Sequence, residues 1–129
     1  MLLTRISLRA GTSPHYRAAL IRSIYAAQRE TFAVPEDDLF AVIHEHDAAS
    51  FAFGPQYLGV ARDADLVLIQ ITANATRTID QKRALYAAIA RNLGYDPGVK
   101  PGNVFVNLVA VAPENWSFGD GLMQYGPPV

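Results

Sequence analysis

The order of strand-like and helix-like segments occurs twice along this chain, and that doubling limits the folds open to it. Leu2–Leu8 reads as a strand, and the segment from Pro14 to about Phe32 carries Leu20, Ile21, Ile24 and Ala27 at helical spacing. Leu39–His46 reads as a second strand. Leu66–Thr72 then opens the second half as a strand. A helix with Leu85, Ala88, Ile89 and Leu93 on one face follows, and Val104–Val111 is the last long strand. Sliding one half onto the other by 65 positions pairs Leu3 with Leu68, Ile6 with Ile71, Ser13 with Thr78, Leu20 with Leu85 and Phe40 with Phe105. Strand meets strand, cap meets cap and helix core meets helix core, the mark of an internal repeat. The expected fold is α+β: one domain over 1–129, with β-α-β halves of about 1–64 and 65–129.

Local chemistry agrees with the element boundaries. Ser13 is suited to cap a helix whose first residue is Pro14. Thr78 and Gln81 have the spacing of a capping box, in which each end satisfies the other's free backbone N–H. Gly94 is the expected stop of the second helix. The segment 47–59 reads as a loop or short hairpin, and 113–129 as a turn-rich tail.

Each β-α-β unit requires parallel strands and a right-handed crossover, which puts both helices on one face of a four-stranded sheet. The other face is then bare. Yet the strands around Leu66–Ile69 and Phe105–Val111 are apolar at successive positions, as in strands buried on both sides. Further copies of the chain in a closed ring would cover that face. The alternative is that the Phe51–Tyr57 segment and the tail fold over it.

Composition removes several function classes. Eleven Lys and Arg stand against twelve Asp and Glu, for a net charge of −1, so no basic footprint for nucleic acid or polybasic membrane patch is present. The chain has no cysteine, which excludes disulfides, thiolate catalysis and cysteine-based zinc sites. The opening apolar run breaks at Thr4–Arg5, too early for a signal-peptide core, so a cytoplasmic protein is expected. His44 and His46 alternate on one side of a strand, but His15 is the one other histidine, and two polar residues at a strand end describe the pair better than a metal site. No glycine-rich turn joins a strand to a helix in the manner of a phosphate loop. No metal or other cofactor is expected.

The segments FAVPEDD, RTIDQKRALYAAIA and VFVNLVAVAPENWSFGDG, within two β-α-β units of this length, resemble the tautomerase superfamily. The resemblance covers nearly the whole chain and lies nearest the malonate semialdehyde decarboxylase-like branch. It implies a homotrimer with strands inside and helices outside. It also implies that the initiator Met is removed and that a proline amine at the start of the first strand shuttles protons in a pocket. An amine held by the sheet in this way leaves no place for a leader.

Here the second residue is Leu2, not proline. Removal of Met requires a small second side chain, so Met1 is expected to stay and its amine to lie ~3.3 Å further out along the strand. That amine also lacks the rigid ring that fixes a lone pair, and general base catalysis depends on geometry before pKa. Asp38 falls where the branch has an aspartate that activates water or orients the amine; it is equally good turn chemistry. The branch clamps a substrate carboxylate with two arginines after the third strand. Arg77 matches one, and Asn74 sits near the other. Arg77 also reads as a solvated cation ahead of a helix cap. Trp116 and Phe118 match an apolar pocket wall and equally suit a small core.

The expected function is therefore a superfamily member with a small, apolar, carboxylate-accepting pocket and little or no proline-dependent activity. One alternative is a low-efficiency keto–enol tautomerase or 3-oxoacid decarboxylase using the Met1 amine or Asp38. The other is a non-catalytic trimeric binding module.

Overall fold

A computed structural model describes residues 1–128, so Val129, the end of the expected tail, lies outside the described residues. The elements are β1 (Leu2–Arg9), α1 (Pro14–Phe32), β2 (Ala41–His46), β3 (Val67–Asn74), α2 (Ile79–Tyr95) and β4 (Val104–Val111). They form one four-stranded sheet of order β2-β1-β3-β4. β1 pairs with β2 and β3 with β4 in parallel, while the two central strands β1 and β3 run antiparallel. The 65-residue shift carries one half's register onto the other's: Thr4 opposite Ala41 becomes Ile69 opposite Val106. It also carries the central ladder onto itself, since Leu3 opposite Thr72 becomes Leu68 opposite Ser7. The two halves are thus related by a pseudo-twofold axis between β1 and β3.

The helix starts form for the stated reasons. The Ser13 hydroxyl accepts from the Tyr16 N–H at 3.0 Å, ahead of Pro14. In the capping box, Thr78 Oγ1 accepts from the Gln81 N–H at 3.1 Å, and Gln81 Oε1 accepts from the Thr78 N–H at 2.9 Å. α2 runs through Gly94 to Tyr95, one residue past the expected stop. The carbonyls of Asn92 and Leu93 there accept from the N–H groups of Asp96, Gly98 and Val99, which extends the closing turn.

The core lies between the helices and one sheet face. Leu2, Ile6 and Leu8 of β1 and Ile69 and Ile71 of β3 pack with Leu20, Ile24, Leu85, Ile89 and Leu93. Burying each such side chain is worth about 1.5–3 kcal/mol, which holds β1 in place from its first residue. The one polar side chain of β1 on this face, Thr4, is satisfied by the Gln28 amide at 2.7 Å.

The opposite face differs from the expectation of strands buried on both sides. Strand alternation places Arg5, Ser7, His44, Gln70 and Asn107 across its middle. Gln70 donates to Asn107 at 3.2 Å, and both are exposed. The apolar residues of this face, Leu3, Val42, Leu68, Phe105 and Val109, lie on either side of that belt. The loop after β2 and the tail after β4 cover the two ends, through Phe53 beside Leu68 and Phe118 beside Leu3, and the polar middle stays open.

β2 begins two residues later than expected. Leu39 and Phe40 are β-prone, but Phe40 enters the ladder only through its carbonyl, which accepts from the Thr4 N–H at 2.9 Å.

Candidate active site

At the start of β1, a cavity of about 220 Å³ opens between the first residues of the strand and the tail. Met1, Leu2 and Leu3 form one side, Phe40 another, and Trp116, Ser117 and Phe118 the third. The Leu2 side chain is 1% exposed and belongs to the helix-side core, so the strand turns Met1 and Leu3 toward the cavity. Trp116 and Phe118 stack with centroids 5.4 Å apart, and Tyr125 packs edge-on to Phe118 at 4.9 Å. These contacts make the tail an aromatic wall.

A charged pair adjoins the cavity through Met1, which lines it. The Met1 amine stands 3.2 Å from Asp38 Oδ2, with the two side chains only 13% and 11% exposed. The turn that closes with the Asp38 N–H on the Pro35 carbonyl, at 3.1 Å, sets the carboxylate there. The second carboxylate oxygen, Oδ1, is buried and accepts no hydrogen bond among the described residues. An ammonium donor and a carboxylate acceptor side by side, one oxygen of the carboxylate unspent, are the elements of a proton-transfer site.

Asn74, the last residue of β3, accepts from the Trp116 indole N–H at 2.7 Å, which ties the aromatic wall to the sheet. Its amide nitrogen makes no hydrogen bond among the described residues, so it remains free to donate. The structure thus brings Met1, Leu2, Asp38, Asn74, Trp116 and Phe118 together. Arg77 stands apart. Its guanidinium lies 4.8 Å from the centroid of the Phe32 ring and donates to the Phe32 carbonyl at 3.1 Å. A cation at the last turn of α1 favours the helix dipole. Phe40 and Ser117 complete the cavity and were not singled out from sequence, although the pairing of Phe40 with Phe105 in the repeat marked the first. Among the described residues, no group of three or more His, Cys, Asp or Glu is placed to hold a metal ion. Among the described residues, no helix is long and apolar enough to cross a membrane.

Two family models, each described as a tautomerase enzyme, match residues 38–119 and 3–61. The chain belongs to the tautomerase superfamily. It is 39% identical over 124 residues to the probable tautomerase YusQ of Bacillus subtilis (strain 168), covering 96% of this chain and 98% of that one. Among solved structures it superimposes on FG41 malonate semialdehyde decarboxylase inhibited by 3-bromopropiolate. The TM-score is 0.89 and the identity 34%, covering 95% of this chain and 93% of that one. A fused 4-OT wild-type symmetric trimer shares the fold at TM-score 0.77 and 22% identity, over 93% of this chain and 94% of that one.

Proposed function

We propose that this tautomerase-superfamily protein is a slow keto–enol tautomerase of small 2-oxo acids with an apolar or aryl tail. The ion pair between the Met1 amine and Asp38 would work in place of a proline. The single observation that carries this reading is the 3.2 Å contact between Asp38 and the amine of Met1, a residue that lines an aromatic-walled cavity. Tautomerisation moves one proton from oxygen to carbon or back. It needs an acceptor and a donor a few ångströms apart, and needs no cofactor.

The polar groups favour this reading over decarboxylation of a small oxo acid. With Arg77 engaged by Phe32, a substrate carboxylate meets the Met1 ammonium, the Ser117 hydroxyl and the free amide N–H of Asn74 rather than a pair of guanidinium forks. One ammonium and two neutral donors hold a carboxylate with less geometric specificity than a pair of bidentate arginines does. Recognition then falls to the apolar part of the ligand, against Phe40, Trp116 and Phe118. The primary amine lacks a ring to fix its lone pair, which keeps turnover low.

The ketonisation of phenylenolpyruvate tests the reading, with intact mass measured on the same sample. A rate at least about 10²-fold above buffer is expected, the lower end of what a positioned acid–base pair supplies. It should come from protein that retains Met1 and should vanish when the amine is acetylated. Ketonisation at the buffer rate would overturn the reading and leave the cavity as a binding pocket.

The assembly belongs to the same proposal. Fused 4-OT neighbours of this fold are trimers, and the open sheet face here, with Val42 45% exposed, supports a ring of three chains. Light scattering behind gel filtration should give the mass of about three chains at micromolar concentration. A monomer mass would mean that the polar belt across the sheet is solvated and that each cavity stands alone.

A further inference from the structure

The pseudo-twofold that relates the halves also relates two cavities. Shifting the lining of the Met1 cavity by 65 positions sends Leu3 to Leu68, Phe40 to Phe105, Ser117 to Ala52 and Phe118 to Phe53. Those four destination residues line one further cavity, at the start of β3, of about 560 Å³. Met1 maps onto Leu66, which lines it too. The duplicated chain has built related pockets at opposite ends of the sheet, although Leu2 and Trp116 map onto Val67 and Phe51, which do not line the second.

The chemistry was not duplicated. Where Met1 has a free amine, Leu66 has a peptide nitrogen, which donates to the Asp63 carbonyl at 3.1 Å. Where Asp38 has an unspent oxygen, the counterpart Asn103 is fully engaged. Its amide donates to Asp63 Oδ1 at 2.7 Å, and its carbonyl accepts from the Asp63 N–H at 3.0 Å. The Asp63 carboxyl is held below its ordinary value, chiefly by the Asp65 N–H and then by the Asn103 amide. The ammonium–carboxylate pair at this end, Lys100 with Asp63 Oδ2 at 3.5 Å, is exposed, and neither residue lines the cavity.

A cation has been added instead. Arg62 Nη1 donates to the carbonyls of Gly54, Tyr57 and Val60 at 3.3, 3.1 and 3.2 Å, folding the loop that carries Phe53 and Tyr57. Arg62 is itself one of the residues that line the cavity, and its Nε and Nη2 meet no acceptor among the described residues. Three aromatic rings, Phe53, Tyr57 and Phe105, stand around a floor of Leu66 and Leu68.

From these observations we infer that the cavity at the start of β3 is a second, non-catalytic binding site for an aryl carboxylate. The ring lies among Phe53, Tyr57 and Phe105, and the anion faces Arg62. Aromatic walls favour a flat apolar ligand, and a guanidinium with free N–H groups in a partly apolar setting favours an anion over a neutral group. The site would sense the same class of molecule that the first pocket handles, without turning it over. It does not depend on the first pocket being active.

The probe is 2-naphthoate, titrated into the unaltered protein with ¹³C-labelled leucine methyls. Saturable shifts are expected at Leu66 and Leu68, and the uncharged 2-naphthylmethanol should bind roughly tenfold more weakly, as loss of one charge-assisted contact implies. Phe53→Ala should weaken the Leu66 and Leu68 response about tenfold through the lost ring contact. The fluorescence of Trp116, the sole tryptophan, reports the first pocket and should respond as before. Tyr57→Ala, at an exposed position, gives the same comparison should Phe53→Ala fold poorly. Absence of saturable shifts at Leu66 and Leu68 would overturn the inference. So would equal binding of the neutral analogue, or shifts indifferent to both variants.

Discussion

Asp38→Asn should lower kcat/KM for phenylenolpyruvate ketonisation by about 10²-fold or more, the usual cost of removing one member of an acid–base pair, in a protein that still folds. Asparagine is nearly isosteric with aspartate, and the fold already accepts it at the pseudo-equivalent position, where Asn103 is 2% exposed and fully hydrogen-bonded. What changes is the charge opposite the Met1 amine. That ammonium would lose the counter-charge 3.2 Å away while staying largely shielded from water, at a stability cost of about 1–3 kcal/mol. The variant separates chemistry from packing: urea unfolding reads the small stability loss and steady-state kinetics the large activity loss. A fall of less than about threefold would return Asp38 to the role of a turn carboxylate, since a removed catalytic group costs far more than that.

Much of this arrangement is legible in the sequence because it rests on short-range patterns. The alternation of Leu2, Thr4, Ile6 and Leu8 marks the buried face of β1, and the helix caps at Ser13 and Thr78 form bonds across three residues. The 65-residue repeat is visible in the same way, and the paired registers of the two halves follow it. Arg77 shows where such reading ends. Nothing next to it in the chain distinguishes a clamp from a helix-end cation. Its partner Phe32 is 45 residues away and reaches it only because α1 ends beside the turn after β3. The open sheet face is a second example. Gln70 and Asn107 each sit inside an apolar run, and a run with one polar residue reads as buried on both sides. Only the register, which sets Gln70 opposite both Arg5 and Asn107, turns three isolated polar residues into a belt.

Leu2→Pro is the change with the largest expected gain. With a small second residue, Met1 should be removed during expression, leaving a secondary amine whose ring fixes the direction of its lone pair. Ketonisation should rise by about 10–10²-fold through that better positioning. The gain carries a stability cost. The Leu2 side chain is 1% exposed among core aliphatics, and a proline there leaves part of its volume unfilled, for a loss of about 2–4 kcal/mol. Proline is tolerated at the first residue of a strand, so the sheet itself should form. Intact mass shows whether Met1 has gone, urea unfolding gives the cost, and the phenylenolpyruvate assay gives the gain. A protein that loses Met1 and stays folded, with its rate unchanged, would mean that the base is not what limits turnover. The weak hold on the substrate carboxylate would then be limiting, because Arg77 stacks on Phe32 and donates to its carbonyl instead of reaching the cavity.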